Sequence, residues 1–152
     1  MNTQSLNKKK FRGYISSRKV GGSFYPQNLQ NLLIRSFAED KNINLQLSGT
    51  EWNINNSYLM LRSIIHEKNE GIIFFSLFQL LDDENKFIYF SKKIVLKKKS
   101  LIFCLENIVI SNIYEFNLVL KKLKLIKLTN TKLYQINIQS LKKLKSLSKS
   151  KI

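Results

Sequence analysis

Small or chargeable side chains stand at the ends of the apolar stretches of this chain. Arg18 follows two serines at the end of the first stretch, and Glu106 ends the last one. Arginine offers a planar, permanently charged fork that suits a carboxylate or a phosphate. A glutamate beside it could pair with that arginine, bind a hydroxyl or act as a general base. The chemistry-bearing residues predicted to form a ligand site are Ser17, Arg18, Glu51, Ser76, Gln79 and Glu106.

Each candidate also has an ordinary structural interpretation. Arg18 could be a solvated side chain in a turn, and each glutamate could cap a neighbouring helix or loop. Ser76 and Gln79 could line a pocket wall or close a loop. Trp52 and Tyr58 could stack on a sugar or a base, although aromatic residues more often cover a core. No catalytic residue is assigned from these patterns.

The elements that must position these side chains alternate between strand and helix. Apolar runs predict strands at Phe11–Ser17, Ile43–Leu47, Ile72–Phe75 and Leu101–Leu105. Helical spacing predicts a helix from Pro26 to Asp40, with a buried stripe of Leu29, Leu32, Leu33 and Phe37. Further helices are predicted after Ser57, between the Asp82 and Lys97 clusters, and over residues 112–127.

This order predicts a three-layer, doubly wound α/β fold with a mostly parallel sheet of four or five strands, flavodoxin-like or resolvase-like. In such a sheet the carboxyl ends of the strands share one edge, where ligands usually bind. We expect residues 1–10 to be a disordered lead-in, residues 11–127 a single domain, and residues 128–152 a basic extension that could be mobile.

Composition excludes several kinds of site. The chain of 152 residues has one cysteine and one histidine, which excludes a disulfide framework and a cysteine-rich metal centre. Cys104 lies inside an apolar run and His66 late in a predicted helix, so both are interpreted as structural. No metal and no cofactor is therefore expected. The N-terminus lacks an apolar region typical of a signal peptide, and no apolar run reaches about 20 residues. We expect a soluble, cytoplasmic protein.

The net charge of +16 is unevenly distributed. From Val119 onward there are ten lysines and no acidic residue, whereas the preceding part holds 16 basic and 10 acidic residues. The folded part is thus only mildly basic, which weakens a nucleic-acid interpretation. Leucines alternating with lysines near Lys121 could face an anionic membrane or a partner, or could pack on the sheet.

Two families share blocks of this sequence. GYISSR, LSG, GIIFFSLFQL and SLIFCLE resemble the catalytic domain of serine recombinases, and this resemblance implies a resolvase-like fold. The recombinase pattern places an arginine and then the nucleophilic serine where this chain has Ser16 and Arg18. The D-R-L-x-R signature reads Phe78-Gln79-Leu80-Leu81-Asp82 and lacks both arginines. We therefore expect no strand cleavage by that mechanism.

KFRGYISSR, PQNLQNLLIR, LSGTEW, GIIFFSLFQL and LIFCLENIVIS, over about residues 10–112, are more similar to the sporadic carbohydrate cluster family of bacterial surface-polysaccharide loci. One departure is Leu81, where that family has a proline. This resemblance implies a role in making O-antigen, lipopolysaccharide or capsule sugars. It does not imply a defined reaction.

Three hypotheses follow. The first is a cytoplasmic protein that binds an activated sugar or related anionic metabolite at the strand ends, with Arg18 on the anion and Glu51 and Glu106 on hydroxyls. The second is a non-catalytic partner of a glycosyltransferase, or of a membrane surface, that docks through the basic tail. The third, least favoured by the charge distribution, is a nucleic-acid-binding, resolvase-like domain without recombinase activity.

Overall fold

The computed structural model describes residues 9–52, 54 and 57–129, which form five strands and five helices. The strands are β1 (Lys10–Ser16), β2 (Asn44–Glu51), β3 (Gly71–Phe74), β4 (Ser100–Phe103) and β5 (Ile108–Ile110). The helices are α1 (Gln27–Asp40), α2 (Leu59–His66), α3 (Phe78–Leu81), α4 (Glu84–Leu96) and α5 (113–129).

The strands form one sheet in the order β2-β1-β3-β4-β5. The first four are parallel, and only β5 runs antiparallel to its neighbour β4. The prediction of a mostly parallel, resolvase-like α/β sheet is therefore confirmed. The carboxyl ends of β1, β3 and β4 lie at one edge, and their first residues lie at the opposite edge.

Alternating side chains of the sheet build two cores. On one face, Ile15, Ile73 and Ile102 pack with Ile34 and Ala38 of α1. The opposite face is aromatic, with a chain of ring contacts that runs Tyr14–Phe74–Phe103–Phe87–Phe116. The continuous apolar run in β3 is explained by these two covered faces, since every residue of that strand is buried.

The predicted buried stripe of α1 is correct for two of its four residues. Leu33 and Phe37 are partly buried and pack against the core beside Ile34 and Ala38, whereas Leu32 is 63% exposed and Leu29 is 38% exposed. The fully buried face also includes Gln30, which hydrogen-bonds to the end of β1, as described below. A count of apolar residues could not anticipate that a glutamine would be fully buried.

The region between β3 and β4 contains the predicted helix and one more. α4 starts at the acidic cluster as predicted, and Asp83 caps it by accepting hydrogen bonds from Asn85 N and Lys86 N. The short α3, which precedes it, was not predicted. After β4, Asn107 adopts a left-handed conformation with φ of 51°. This turn allows the three residues of β5 to return along β4.

The chain divides into two compact units, Met1–Phe116 and Asn117–Ile152. The sheet and its cores belong to the first unit, and the described part of the second is helical. The tail-docking hypothesis falls largely on residues 130–152, outside the described part of the chain, as does most of the predicted lead-in. None of the helices in the described part is both long and apolar enough to cross a bilayer.

Candidate ligand-binding cleft

An open cleft of about 390 Å³ lies beside the end of β1 and the start of α4. We call it the carboxyl-edge cleft. Two of its lining residues, Arg18 and Gln79, were predicted to bind a ligand. The full lining consists of Arg18, Lys19, Phe24, Tyr58, Gln79, Asp82, Asp83 and Lys86.

Arg18 is held in place without an acidic partner. Its guanidinium carbon lies 3.8 Å from the centre of the Tyr58 ring, and its Nη2 donates a hydrogen bond to the carbonyl of Ser57. The Nε and Nη1 groups are shielded from solvent, and the guanidinium interacts with the hydroxyls of Tyr14 and Tyr58. Arg18 also forms no ion pair with any carboxylate of the described part. Its positive charge is therefore fixed but not neutralised.

Two tyrosines border this guanidinium. Burial raises the pKa of Tyr14, and the neighbouring Glu51 raises it further while Arg18 opposes the shift. Burial also raises the pKa of Tyr58, again against the opposing effect of Arg18. Both phenols stay protonated near neutral pH. The Tyr14 side chain is fully buried, and its hydroxyl interacts with the Arg18 guanidinium.

The glycine-rich segment is a tight hairpin beside the cleft. Val20 and Ser23 exchange two backbone hydrogen bonds, of 2.8 and 3.2 Å. Gly21 and Gly22 between them have φ of 57° and 86°, as a type I′ turn requires. The glycines therefore serve the turn, and no residue of this turn lines the cleft. The hairpin is followed by Phe24, which is 68% exposed.

Two buried amides join the strand ends beneath the cleft. Gln30 accepts from Ser16 N at 3.0 Å and donates to Ser16 O at 2.7 Å and Tyr25 O at 2.9 Å. Its oxygen also accepts from Gln79 Nε2 at 3.2 Å, while the Gln79 oxygen accepts from Ser76 N at 3.3 Å. This network holds the ends of β1 and β3 at a fixed separation.

The start of α4 supplies both signs of charge. Asp82 and Asp83 stand at its N-terminus, where the helix dipole stabilises carboxylates. Lys86 lies 3.7 Å from Asp83 and 5.0 Å from the Tyr58 ring centre. Together with Arg18 and Lys19, the cleft presents three cations and two carboxylates around an aromatic wall. Such a lining can bind an anion and accept hydrogen bonds from hydroxyls.

The other predicted site residues lie near the strand ends but do not line the cleft. The Glu51 carboxylate accepts a hydrogen bond of 3.1 Å from Leu61 N, in the first turn of α2. Ser17 Oγ donates to the carbonyl of Glu51 at 3.4 Å. Both contacts are structural in kind, and a ligand role for either residue stays a prediction.

Glu106 and Ser76 form a pair next to α3. Ser76 Oγ donates to Glu106 Oε1 at 2.7 Å, and the second carboxylate oxygen accepts from Leu77 N at 3.0 Å. Glu106 thereby holds the loop that carries Gln79, and a ligand role for either residue of the pair also stays a prediction. In the described residues, no group of three or more His, Cys, Asp or Glu side chains is placed to hold a metal ion.

The analysis of the sequence missed the cationic and acidic contributors Lys19, Asp82, Asp83 and Lys86, together with Phe24. Asp83 was interpreted as a helix-stabilising residue, which it also is. The available signal was the pair of acidic residues at the predicted start of a helix. Lys86 gave a weaker signal, because its place in the first turn of that helix does not by itself indicate a cleft.

The fold and cleft define a class: a resolvase-like α/β domain with a mixed-charge pocket at the carboxyl edge of its sheet. Among solved structures, the chain is similar to the crystal structure of the N-terminal catalytic domain of TP901-1 integrase. The TM-score is 0.57 at 20% sequence identity, over 80% of this chain and 98% of that one. At this identity the likeness shows the fold. Comparisons with family models and with curated proteins give no match.

Proposed function

We propose that the carboxyl-edge cleft binds a small anionic ligand rich in hydroxyls, and that this ligand is an activated sugar. The supporting observation is Arg18, a guanidinium that is held against Tyr58 at the cleft and forms no ion pair with a carboxylate of the described residues. A positive charge fixed in this way attracts an anion and can donate charge-assisted hydrogen bonds to its oxygens. A phosphate fits the charge of Arg18, Lys19 and Lys86.

The two aspartates restrict further the class of ligand that the cleft could bind. Asp82 is exposed at the cleft, and Asp83 has one oxygen engaged in capping α4. Carboxylates repel a bare phosphate but accept hydrogen bonds from sugar hydroxyls. Phe24, which is 68% exposed, adds aromatic surface of the kind that stacks on a sugar or a base. The biological setting we propose, cytoplasmic synthesis of a bacterial surface polysaccharide, rests on the sequence resemblance alone.

A thermal-shift titration with nucleotide diphosphate sugars and hexose phosphates tests this proposal. A ligand that binds only the folded state raises its stability by mass action. We expect at least one compound to raise Tm, and Arg18→Ala to abolish the rise. Arg35→Ala is the matched control, since Arg35 is exposed on α1 and lies outside this cleft. No shift with any compound, or an equal shift in Arg18→Ala, contradicts the proposal.

The variant Asp82→Asn tests whether the cleft recognises the sugar as well as the phosphate. If Asp82 accepts sugar hydroxyls, the variant should bind a nucleotide diphosphate sugar more weakly, by roughly tenfold for one charge-assisted hydrogen bond. Its affinity for the corresponding nucleoside diphosphate should stay the same or rise, because a negative charge has been removed. A loss of equal size for both compounds would argue against hydroxyl recognition.

The second candidate function is binding of nucleic acid without strand cleavage. The likeness to an integrase catalytic domain fits this function better than it fits polysaccharide synthesis. Fluorescence anisotropy with a duplex DNA measures it directly. True phosphate contacts predict an affinity that falls steeply with salt. Binding of DNA at physiological salt, with no response to any nucleotide sugar, would favour this candidate over the first.

A further inference from the structure

A second cleft, of about 360 Å³, opens at the opposite edge of the sheet, beside the first residues of β1, β3 and β4. We call it the amino-edge cleft. Its lining comes from the start of β1, the segment after α2 and the residue before β4. The lining residues are Lys9, Lys10, Glu67, Lys68, Asn69, Glu70 and Lys99.

Lys99 gives this cleft a buried positive charge. It is only 8% exposed, and its ammonium donates to the carbonyl of Glu67 and, at 3.1 Å, to Asn69 Oδ1. Both acceptors are neutral, and Lys99 forms no ion pair in the described part of the chain. Burial, with a contribution from Lys97, lowers the pKa of Lys99. An ammonium has three donors, so one N–H is left over.

The nearby carboxylates do not neutralise this cleft. Glu67 is occupied by Arg12, with Nε to Oε2 at 2.8 Å. Apart from Glu67, Glu70 is the one carboxylate among the lining residues, which include four lysines. The excess of positive charge extends to the end of α2. The pKa of His66 there is lowered chiefly by Lys97, then by a small degree of burial, and then by Lys93 and Lys99.

Helix dipoles explain part of this arrangement. Lysines near the C-terminal ends of α2 and α4 are favourable there, and the bond from Lys99 to Glu67 O caps α2. That explanation covers Lys97 and Lys99, and also Lys68, which directly follows the C-cap residue of α2. It does not account for Lys9 and Lys10, which lie at the start of β1 and line the same cavity.

We propose that the amino-edge cleft is a binding site for a phosphate-bearing anion. A phosphate would take the remaining Lys99 N–H and be surrounded by Lys9, Lys10 and Lys68, as charge-assisted bonds require. This site is independent of the carboxyl-edge cleft, because the two lie at opposite ends of the strands. It can therefore exist whether or not the proposed function is correct.

The test uses inorganic phosphate on the full chain carrying Arg18→Ala, so that the other cleft does not contribute. Tm is compared with chloride at equal ionic strength. We expect a rise that depends on phosphate concentration, and an affinity lowered about tenfold by Lys68→Gln or Lys10→Gln. Lys92→Gln, an exposed lysine of α4 outside the cleft, is the matched control and should bind as the parent does.

His66 provides a readout that a purely structural role for the lysines would not move. It is the only histidine of the chain, so its imidazole resonance is unambiguous. A bound phosphate should offset the lysine charge and raise the pKa of His66 above its value in chloride. An absent phosphate response in both Tm and the His66 pKa, or an equal response in Lys68→Gln and the parent, overturns the proposal.

Vesicle sedimentation identifies the source of the phosphate. Lipid vesicles containing phosphatidic acid present the same group as inorganic phosphate, and phosphatidylcholine vesicles are the control. Sedimentation with phosphatidic acid that Lys68→Gln and Lys10→Gln abolish would support the site and assign it to a lipid headgroup. A response to free phosphate without sedimentation would support it and assign it to a dissolved ligand.

Discussion

Gln30 is the side chain whose replacement should most directly disturb the cleft from beneath. Gln30→Leu keeps a similar volume but removes four hydrogen bonds, two to Ser16, one to Tyr25 and one to Gln79. A buried hydrogen bond contributes about 1 kcal/mol net, so the loss is about 4 kcal/mol. Burial of the leucine side chain stabilises the folded state by about 1–2 kcal/mol and offsets part of this loss. We expect the free energy of unfolding to fall by about 2–3 kcal/mol.

Urea unfolding of the full chain measures this change. The midpoint should fall while the m-value stays constant, since the folded chain still buries the same surface. Gln27→Leu is the matched control on the same helix, because the Gln27 side chain makes no hydrogen bond within the described structure. It should change stability by less than about 0.5 kcal/mol. A loss below about 1 kcal/mol in Gln30→Leu, or an equal loss in both variants, would refute the role assigned to the amide network.

Three further predictions concern single groups. Glu51→Gln should lower the free energy of unfolding by about 1 kcal/mol, because Leu61 N loses a charged acceptor in the first turn of α2; urea unfolding measures it, and an unchanged midpoint would contradict the capping role. Cys104 should not react with a thiol reagent at pH 8 in the folded protein, since burial, and secondarily Glu106, raises the pKa of its thiol to about 12. It should react once the protein is unfolded in urea. Rapid labelling of the folded protein would contradict this prediction. The pKa of His66 lies below 6.5 chiefly because of Lys97, so 1 M NaCl should raise it in an NMR titration, and a salt-independent value would exclude charge repulsion as the cause.

The sheet class and most strands were predictable because their apolar runs are continuous. β3 illustrates this, since Ile72, Ile73 and Phe74 are all fully buried. The predicted end of the second strand at Leu47 was wrong, because β2 continues through polar residues to Glu51. The face of α1 was predictable in part, because apolar spacing does not count the buried Gln30. β5 was missed, since three residues carry little periodicity and its turn depends on a left-handed Asn107.

The cleft was only partly predictable for a similar reason. Arg18 and Gln79 follow strands directly, so the rule that parallel strand ends share an edge was enough to place them. Tyr58, Phe24 and Lys86 reach the same cavity from a segment before α2, a hairpin and a helix. Their convergence depends on tertiary packing, and it cannot be predicted from their spacing in the sequence.

The most consequential departure from the recombinase pattern is the exchange of Ser16 and Arg18. Where that pattern has its nucleophilic serine, this chain has a guanidinium packed on Tyr58 and hydrogen-bonded to Ser57 O. Where it has an arginine, Ser16 is 2% exposed, and its hydroxyl accepts a hydrogen bond of 3.1 Å from Arg18 N. A hydroxyl so buried cannot reach a phosphodiester outside the protein, and a fixed cation at the mouth of a cleft attracts an anion without attacking it. The end of β1 in this chain therefore presents a guanidinium at the position where the recombinase pattern has its nucleophilic hydroxyl.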